Sequence, residues 1–323
     1  MKKLVVKQPG LHLDTLDAPI DMPLPDQVQV EVIAVGLNPI DGKSAQHGHP
    51  QWQYPHTPGL DAVGRITEVG SNAGNLRPGQ RVIWHGALDA DGALAEVVNV
   101  PAAVISAVPD EIDDLHAAAL PCSAMTAWQA IERMQLTPKQ TVLIEAGAGG
   151  VGYYAIQLAK KKGAKVITTA SPQHHQFLGA VGADWMIDYH TQDVAEVIRE
   201  TIGELDAVLD SIGGEASVRD LRLLRRGGHY VSLLGLPDLP QEDLFSIAPS
   251  IHIIGLGGAY GGGDSAAGSE LPPLLEKLVT LMSEGELQSP TIERVPFEPQ
   301  AVSAALEREL QGRMAGKQVV TVH

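Results

Sequence analysis

Gly147-Ala148-Gly149-Gly150-Val151-Gly152 follows the apolar run TVLIEA (141–146) and opens a stretch with helical character. In that setting the G-x-G-x-x-G spacing has a defined chemistry, which is to hold a pyrophosphate. Gly147 permits a tight turn, Gly149 lets the backbone approach the phosphates, and Gly152 lets the helix pack close to the strand. The helix N-terminus adds free N–H groups and a positive dipole end. Strand, loop, helix and second strand in that order imply a dinucleotide. The second strand, 165–170, indicates which one. NAD sites place an acid about twenty residues beyond the first glycine, where it binds the ribose 2′-hydroxyl. Here Thr168, Thr169, Ala170 and Ser171 occupy that place, and the next acid is Asp184. No carboxylate stands there to repel a 2′-phosphate, so NADPH is the expected cofactor. Ser171 can donate a hydrogen bond, and His174 or His175 can add positive charge.

A second group of reactive types lies in HGHPQWQYPH (47–56), with His47, His49, Trp52, Tyr54 and His56. Tyr54 and His49 are the candidate proton donors, and the alternative is an aromatic lining that only shapes a pocket. A metal on these histidines is conceivable, but His-x-His in a Pro-rich loop reads first as a solvated turn. Asp41 reads as a structural acid that ties a strand end to its neighbours. Cys122 is the only cysteine, so no disulfide can form within the chain, and it reads as a small buried residue.

The elements that must position these residues fall into two regions. Up to about residue 115 the chain has short apolar strands between Pro and Gly turns: 27–36, 63–70, 77–84 and 92–101. This pattern suggests a compact barrel. From 116 onward a helix interrupted near Pro121 leads into alternating strands and helices. Strands are expected at 141–146, 165–170, 185–189, 205–210 and 229–234, and helices at 151–162, 172–181, 191–202 and 215–225. That alternation predicts a parallel sheet covered by helices. A further strand runs into the glycine-rich loop GLGGAYGGGD (255–264), read as a hinge, a lid or a close approach to cofactor. Helices at 271–284 and 299–311 and a last strand in KQVVTVH complete the chain.

The bulk numbers exclude some functions. With 23 basic and 39 acidic residues the net charge is −16, which lacks the basic footprint of a nucleic-acid binder and would be repelled by an anionic membrane. No stretch reads as a signal peptide or a bilayer span, so a cytoplasmic location is expected.

In order and spacing, GLNPIDGK (36–43), PGLDAVGRITEVG (58–70), LRPGQRV (76–82), LPCSAMTAW (120–128), AGAGGVGYYAIQLAK (146–160), IHIIGLGGAY (251–260) and GKQVVTV (316–322) carry a likeness. The chain resembles the zinc-independent quinone oxidoreductases of the medium-chain dehydrogenase/reductase superfamily. The resemblance implies a GroES-like β-barrel domain (1–116 and 262–323) and a Rossmann doubly wound parallel-sheet domain (117–261), with NADPH in the cleft between them. Asn38 would contact the nicotinamide side, and Thr126 would approach the cofactor from the linking helix. Ser171, His174 and Tyr189 would surround the 2′-phosphate, Leu234 and Leu256 would border the nicotinamide, and Lys317 would sit near the phosphate end. His174 stands where relatives often carry Lys. The ligand places of the superfamily's zinc enzymes hold Asn38, Leu60 (followed by Asp61) and Cys122, a set that cannot ligate zinc, so no metal is expected.

The implied activity is NADPH-dependent, zinc-free hydride transfer to a small electrophilic acceptor, a quinone or an α,β-unsaturated carbonyl. The alternatives are an enoyl-thioester reductase of the same fold, or a nucleotide-binding relative with little catalysis. A homodimer through the IHIIGLGG edge strand is expected.

Overall fold

The computed structural model describes residues 1–236, 238–260, 270–312 and 314–323. It divides into two units, Met1–Met125 with Leu256–His323, and Thr126–Gly255. The sequence-drawn border at 116/117 lies nine residues before the structural one. The border drawn at 261/262 lies outside the described residues, as do residues 261–264 of the glycine-rich loop.

The first unit is built on a seven-stranded sheet ordered Ile292–Pro296, Lys317–Thr321, Gln27–Gly36, Asp61–Val69, Arg81–His85, Ser106–Ala107, with Val97–Pro101 also paired to Gln27–Gly36. All these pairings are antiparallel except the first. The central strand QVQVEVIAVG buries Val28, Val30, Val32, Ala34 and Val35 completely. The four valines join Leu4, Leu37, Ile66, Val82, Leu94 and Val320 in one apolar core. Two features tighten the sheet. Gly36 admits the Ala118 carbonyl so closely that a Cβ there would lie 2.1 Å from its oxygen, and at Gly64 a Cβ would lie 2.3 Å from the Glu31 oxygen.

The second unit is a six-stranded, all-parallel sheet ordered Trp185–Ile187, Lys165–Thr169, Thr141–Ile144, Leu205–Asp210, Leu224–Ser232, Ser250–Ile253. By chain order this is 3-2-1-4-5-6, the dinucleotide-binding arrangement. The strand order reverses at Thr141–Ile144, so the loop that follows this strand stands at the topological switch point. Val142, Leu143, Ile144, Val208 and Leu209 are fully buried, as a parallel sheet covered on both faces requires. Two of the boundaries that differ from the sequence reading adjoin one another. The helix expected over 215–225 ends at Leu221, and the strand expected from 229 begins at Leu224. Leu224 pairs with Leu205 through a register shift, so tertiary pairing overrides the helical look of LRLLRR.

No helix among the described residues is long and apolar enough to cross a membrane.

Candidate functional site

In the parallel-sheet unit, Gly147, Ala148 and Gly149 form the turn after Thr141–Ile144. Gly150, Val151 and Gly152 make the first turn of the helix Gly150–Lys161, with Gly149 as its N-cap. The three glycines of the motif have different surroundings. A Cβ at Gly147 would lie 2.0 Å from Thr168 Oγ1, and one at Gly152 would lie 2.4 Å from the Ala146 oxygen. A Cβ at Gly149 would meet only that same oxygen, at 3.3 Å. Gly147 and Gly152 are therefore required by the fold, and Gly149 leaves its open side to a ligand.

The loop is held in register from behind. Ala146 N donates to Thr169 Oγ1 at 3.0 Å, and Gly147 N donates to the Thr169 carbonyl at 3.1 Å. Thr169 Oγ1 in turn donates to Glu145, which also accepts from Arg219. Arg219 Nε donates to Asp220 Oδ1 at 2.7 Å. Burial and the neighbouring Glu145 push the Asp220 carboxyl up to about 8.

At the end of the second strand Ser171 Oγ lies 3.4 Å from Tyr189 Oη and 3.1 Å from His190 Nε2. The Tyr189 and His190 rings lie 4.2 Å apart. Ser171 and Tyr189 are thus neighbours, and His190 joins them, a residue the sequence reading missed. The signal lay one position beyond Tyr189. His174 turns instead to Gln173, at 3.1 Å, and packs edge-on against Phe177. Burial, and then His175, hold its imidazole below the ordinary histidine range. Any gain in NADPH affinity from a charged His174 should therefore come only at pH below the ordinary histidine range, and His174→Gln should remove it. A fluorescence titration of NADPH against pH, with NADH as control for the 2′-phosphate, measures it.

Leu234 is half exposed just past the strand Leu224–Ser232 and lines a cleft of about 530 Å³ with Ile212, Gly213, Gly214 and Leu236. The cleft opens at the C-terminal ends of the fourth and fifth strands, where open α/β sheets bind ligands. Asp210 shapes its floor by accepting from Ile212 N and Gly213 N, both at 2.9 Å, and from Ser217 and Tyr230 hydroxyls. Thr126 is nearly buried on the helix Pro121–Met134.

In the barrel unit the candidates gather around a buried polar network. Asn38 is the N-cap of Pro39–His47, and its N donates to Asp41 Oδ2 at 2.8 Å. Asp41 Oδ1 accepts from Leu60 N at 3.1 Å, so Asp41 ties helix start to strand approach. Burial and Asp61 push the Asp41 carboxyl up to about 7. Asn38 Nδ2 donates to Asp61 Oδ2 at 2.9 Å. Lys317 is tied into the same network. It is only 4% exposed, and Nζ donates to the Leu37 carbonyl and to Asn38 Oδ1 at 2.5 and 2.6 Å. Its charge is satisfied inside the barrel, because the strand Lys317–Thr321 pairs next to Gln27–Gly36 and aims the side chain at the start of the following helix. Leu256 is buried in the same unit.

Asp61 sits opposite His85 in the antiparallel register, and His85 Nδ1 lies 2.6 Å from Asp61 Oδ1. Cys122 N donates to Asp61 Oδ2 at 3.0 Å. Ligand atoms of Asp61, His85 and Cys122 all lie within 4.8 Å of one another, the one such group of three among the described residues. The sequence reading tested Asn38, Leu60 and Cys122 and did not consider His85, because 24 residues separate it from Asp61 and only the strand register brings the two together.

The loop 47–56 is packed. Trp52 is buried, its Nε1 donates to the Leu88 carbonyl at 2.7 Å, and its ring stacks on His56 at 3.8 Å. Tyr54 meets Trp52 edge-on with centroids 6.4 Å apart and keeps 36% of its surface exposed, while His49 lies 6.3 Å from Trp52. Trp52 is thus the wedge that fixes the loop, and Tyr54 is the member with a free face. Tyr54→Phe should lower turnover by no more than about tenfold if Tyr54 only shapes the pocket, and by roughly 10²–10⁴ if it is the proton donor. Steady-state kcat on a quinone and an enone checks this.

Residues 24–110 match the alcohol dehydrogenase GroES-like domain, and residues 150–271 match the zinc-binding dehydrogenase domain. A mitochondrial NAD(P)H oxidoreductase of Danio rerio is 31% identical over 92% of this chain and 84% of its own length. The quinone oxidoreductase of Coxiella burnetii superposes with a TM-score of 0.84 and 30% identity, covering 100% of this chain and 99% of that one. The Escherichia coli quinone oxidoreductase, solved in complex with NADPH, gives a TM-score of 0.87 at 26% identity over 99% of this chain and 100% of that one. Other curated relatives are much longer. The chain spans 12% of a phenolphthiocerol/phthiocerol polyketide synthase subunit of Mycobacterium tuberculosis, to which it is 33% identical over 76% of its own length.

Proposed function

Because the chain belongs to the quinone oxidoreductase family of the medium-chain dehydrogenases/reductases, a family of nicotinamide-dependent oxidoreductases, we propose that it passes hydride from NADPH to quinones or α,β-unsaturated carbonyls. One observation carries the choice of cofactor. The second strand of a 3-2-1-4-5-6 sheet ends in Ser171, beside Tyr189 and His190, where an NAD site would present a carboxylate.

When bound, the nicotinamide supplies the hydride. The chain's own residues do the rest. Gly149 and the first turn of Gly150–Lys161 receive the pyrophosphate on backbone N–H groups. Ser171, Tyr189 and His190 offer hydrogen bonds to the 2′-phosphate. Thr126 and Leu234 belong to the nicotinamide end in this reading, and Lys317 orients Asn38 inside the barrel. A quinone or enone is electrophilic by itself, so hydride addition needs positioning and hydrogen bonds to the growing oxyanion.

The test is NADPH consumption with 1,4-benzoquinone, 9,10-phenanthrenequinone and a panel of small enones. Tight NADPH binding without turnover on any of them would sink the reading. The likeness to a stretch of polyketide synthase favours enoyl thioesters as a second substrate class, and a short enoyl thioester belongs in the same panel. Ser171→Asp should weaken NADPH binding by about tenfold or more, ~1.4 kcal/mol, and leave NADH little changed. Ser250–Ile253 is the terminal strand of its sheet and Ile253 is 46% exposed, so pairing with a second copy is proposed. Light scattering at micromolar concentration distinguishes dimer from monomer.

A further inference from the structure

We propose that His229 and His252 form an acid-sensitive latch on the parallel-sheet unit. While both rings are neutral they hold the terminal strand Ser250–Ile253 in place, and proton uptake from solvent releases it. The inference goes beyond the reductase reading and does not depend on it.

Placement is the first argument. Ser250–Ile253 pairs in parallel with Leu224–Ser232 and has no strand on its other side among the described residues. His229 stands opposite Ser250, and Val231 stands opposite His252. Side chains two apart on a strand share a face, so both imidazoles project from the same face of the sheet. Their ring centroids lie 5.9 Å apart, with the planes 6° from parallel. A diagonal pair of ionisable rings thus joins the last strand to its neighbour.

Polar satisfaction is the second argument. His229 Nδ1 and His252 Nε2 are buried, and neither has a hydrogen-bond partner among the described residues. A neutral imidazole has one donor and one acceptor nitrogen, whereas in the charged ring both nitrogens donate. Protonation therefore leaves a charged N–H buried without an acceptor, which is costly. The groups that bear on His252 add to that cost. They are His229 on the neighbouring strand and Arg133 in the last turn of the helix Pro121–Met134, and no carboxylate is among them. Burial first, and then these two groups, hold the His252 imidazole below its ordinary 6.5.

The weakness of the strand is the third argument. It has four residues, and Ser250 and Ile253 at its two ends are exposed. A short strand paired on one side belongs to the low-stability end of a fold, so a small penalty decides whether it stays. His252 of the released strand binds its proton near the ordinary 6.5, and His252 of the paired strand only at lower pH. The hold on the strand is therefore full above that value and is lost as pH falls below it. Release would be felt at the cleft. Ile254 N donates to the Ser232 carbonyl at 3.1 Å, and Ser232 Oγ accepts from Leu234 N at 3.1 Å.

The experiment is hydrogen exchange on the full chain, read by mass spectrometry at about pH 7.5 and about pH 5.5, on either side of the ordinary histidine range. The rate for residues 250–254 is divided by the rate for the buried strand Thr141–Ile144, which cancels the intrinsic pH dependence of exchange. In the parent this ratio should rise by about tenfold or more at the acidic pH. His229→Gln and His252→Gln each remove one ionisable ring, and each should hold the rise to about threefold or less. The control His12→Gln, whose side chain is 79% exposed, should rise as the parent does. A flat ratio in the parent overturns the proposal, and so does a His252→Gln protein that responds to acid as the parent does. The parent ratio decides even if a variant fails to fold. No NADPH or acceptor enters these measurements, so a failure here and a failure of the reductase assay are separate results.

Discussion

Gly149→Val should melt within a few degrees of the parent and lose NADPH affinity by roughly a hundredfold, ~3 kcal/mol, while Gly152→Ala should lose about 3 kcal/mol of fold stability. The two glycines stand three residues apart in one loop, yet their surroundings are opposite. A Cβ on Gly152 would lie 2.4 Å from the Ala146 oxygen and 2.8 Å from Gly147 Cα. Both obstacles are backbone, so relief requires the helix to lift from the strand, a cost of about 3 kcal/mol. Gly149 has φ −76° and ψ 167°, extended backbone that valine adopts freely. Its Cβ would meet only the Ala146 oxygen, at 3.3 Å. The fold cost is therefore the loss of a favoured N-cap type, at most about 1 kcal/mol. The two valine methyls would project from the N-cap into the space where the pyrophosphate has to approach the backbone. Calorimetry of NADPH binding and a thermal melt on each variant separate the two effects. A Gly149→Val protein that binds NADPH like the parent would mean that the phosphates do not pass this loop.

This contrast shows what the sequence makes legible. The glycine spacing is local, and the strand-loop-helix context that gives it meaning spans only Thr141 to Lys161, so reading it needs no tertiary information. The alternation of strands and helices is equally local, and it gives the parallel sheet. What escapes is whatever depends on register between distant strands. His85 meets Asp61 because Arg81–His85 pairs with Asp61–Val69. Lys317 meets Asn38 because the last strand of the chain pairs with Gln27–Gly36. A lysine near the C-terminus reads as a free cation until that pairing is known, and the pairing buries it against Leu37 and Asn38. In the loop 47–56 the wedge is Trp52, fixed by the Leu88 carbonyl and by stacking on His56, a contact that local sequence does not reveal.

The carboxyl cluster behind the glycine loop is the other long-range feature, and it leads to the second large effect. Arg219 is the one side-chain cation in contact with Glu145 and Asp220 among the described residues. Glu145 is 4% exposed at its side chain, Asp220 0% and Arg219 29%. Arg219→Ala should therefore leave two buried carboxyls facing each other and cost about 3 kcal/mol, the low end for breaking a buried pair because the guanidinium is partly solvated. The cost depends on pH. Asp220 Oδ2 has no hydrogen-bond partner among the described residues, so an ionised carboxylate is poorly solvated there and the neutral acid is favoured. Burial and Glu145 raise its folded pKa to about 8, from an ordinary 3.8. The native state thus holds a proton that the unfolded chain has released between those values. Stability from Asp220 is fully present below about pH 4 and is lost as pH rises towards 8. Asp220→Asn keeps the shape without the proton. The parent should match this variant in urea midpoint near pH 5 and fall below it near pH 8.5, and Arg219→Ala should deepen the fall at the alkaline end. Parallel parent and Asp220→Asn curves across that range would show that Asp220 is ionised in the fold and that Thr169, with the glycine loop it holds, is braced by a charged pair and not by a neutral acid.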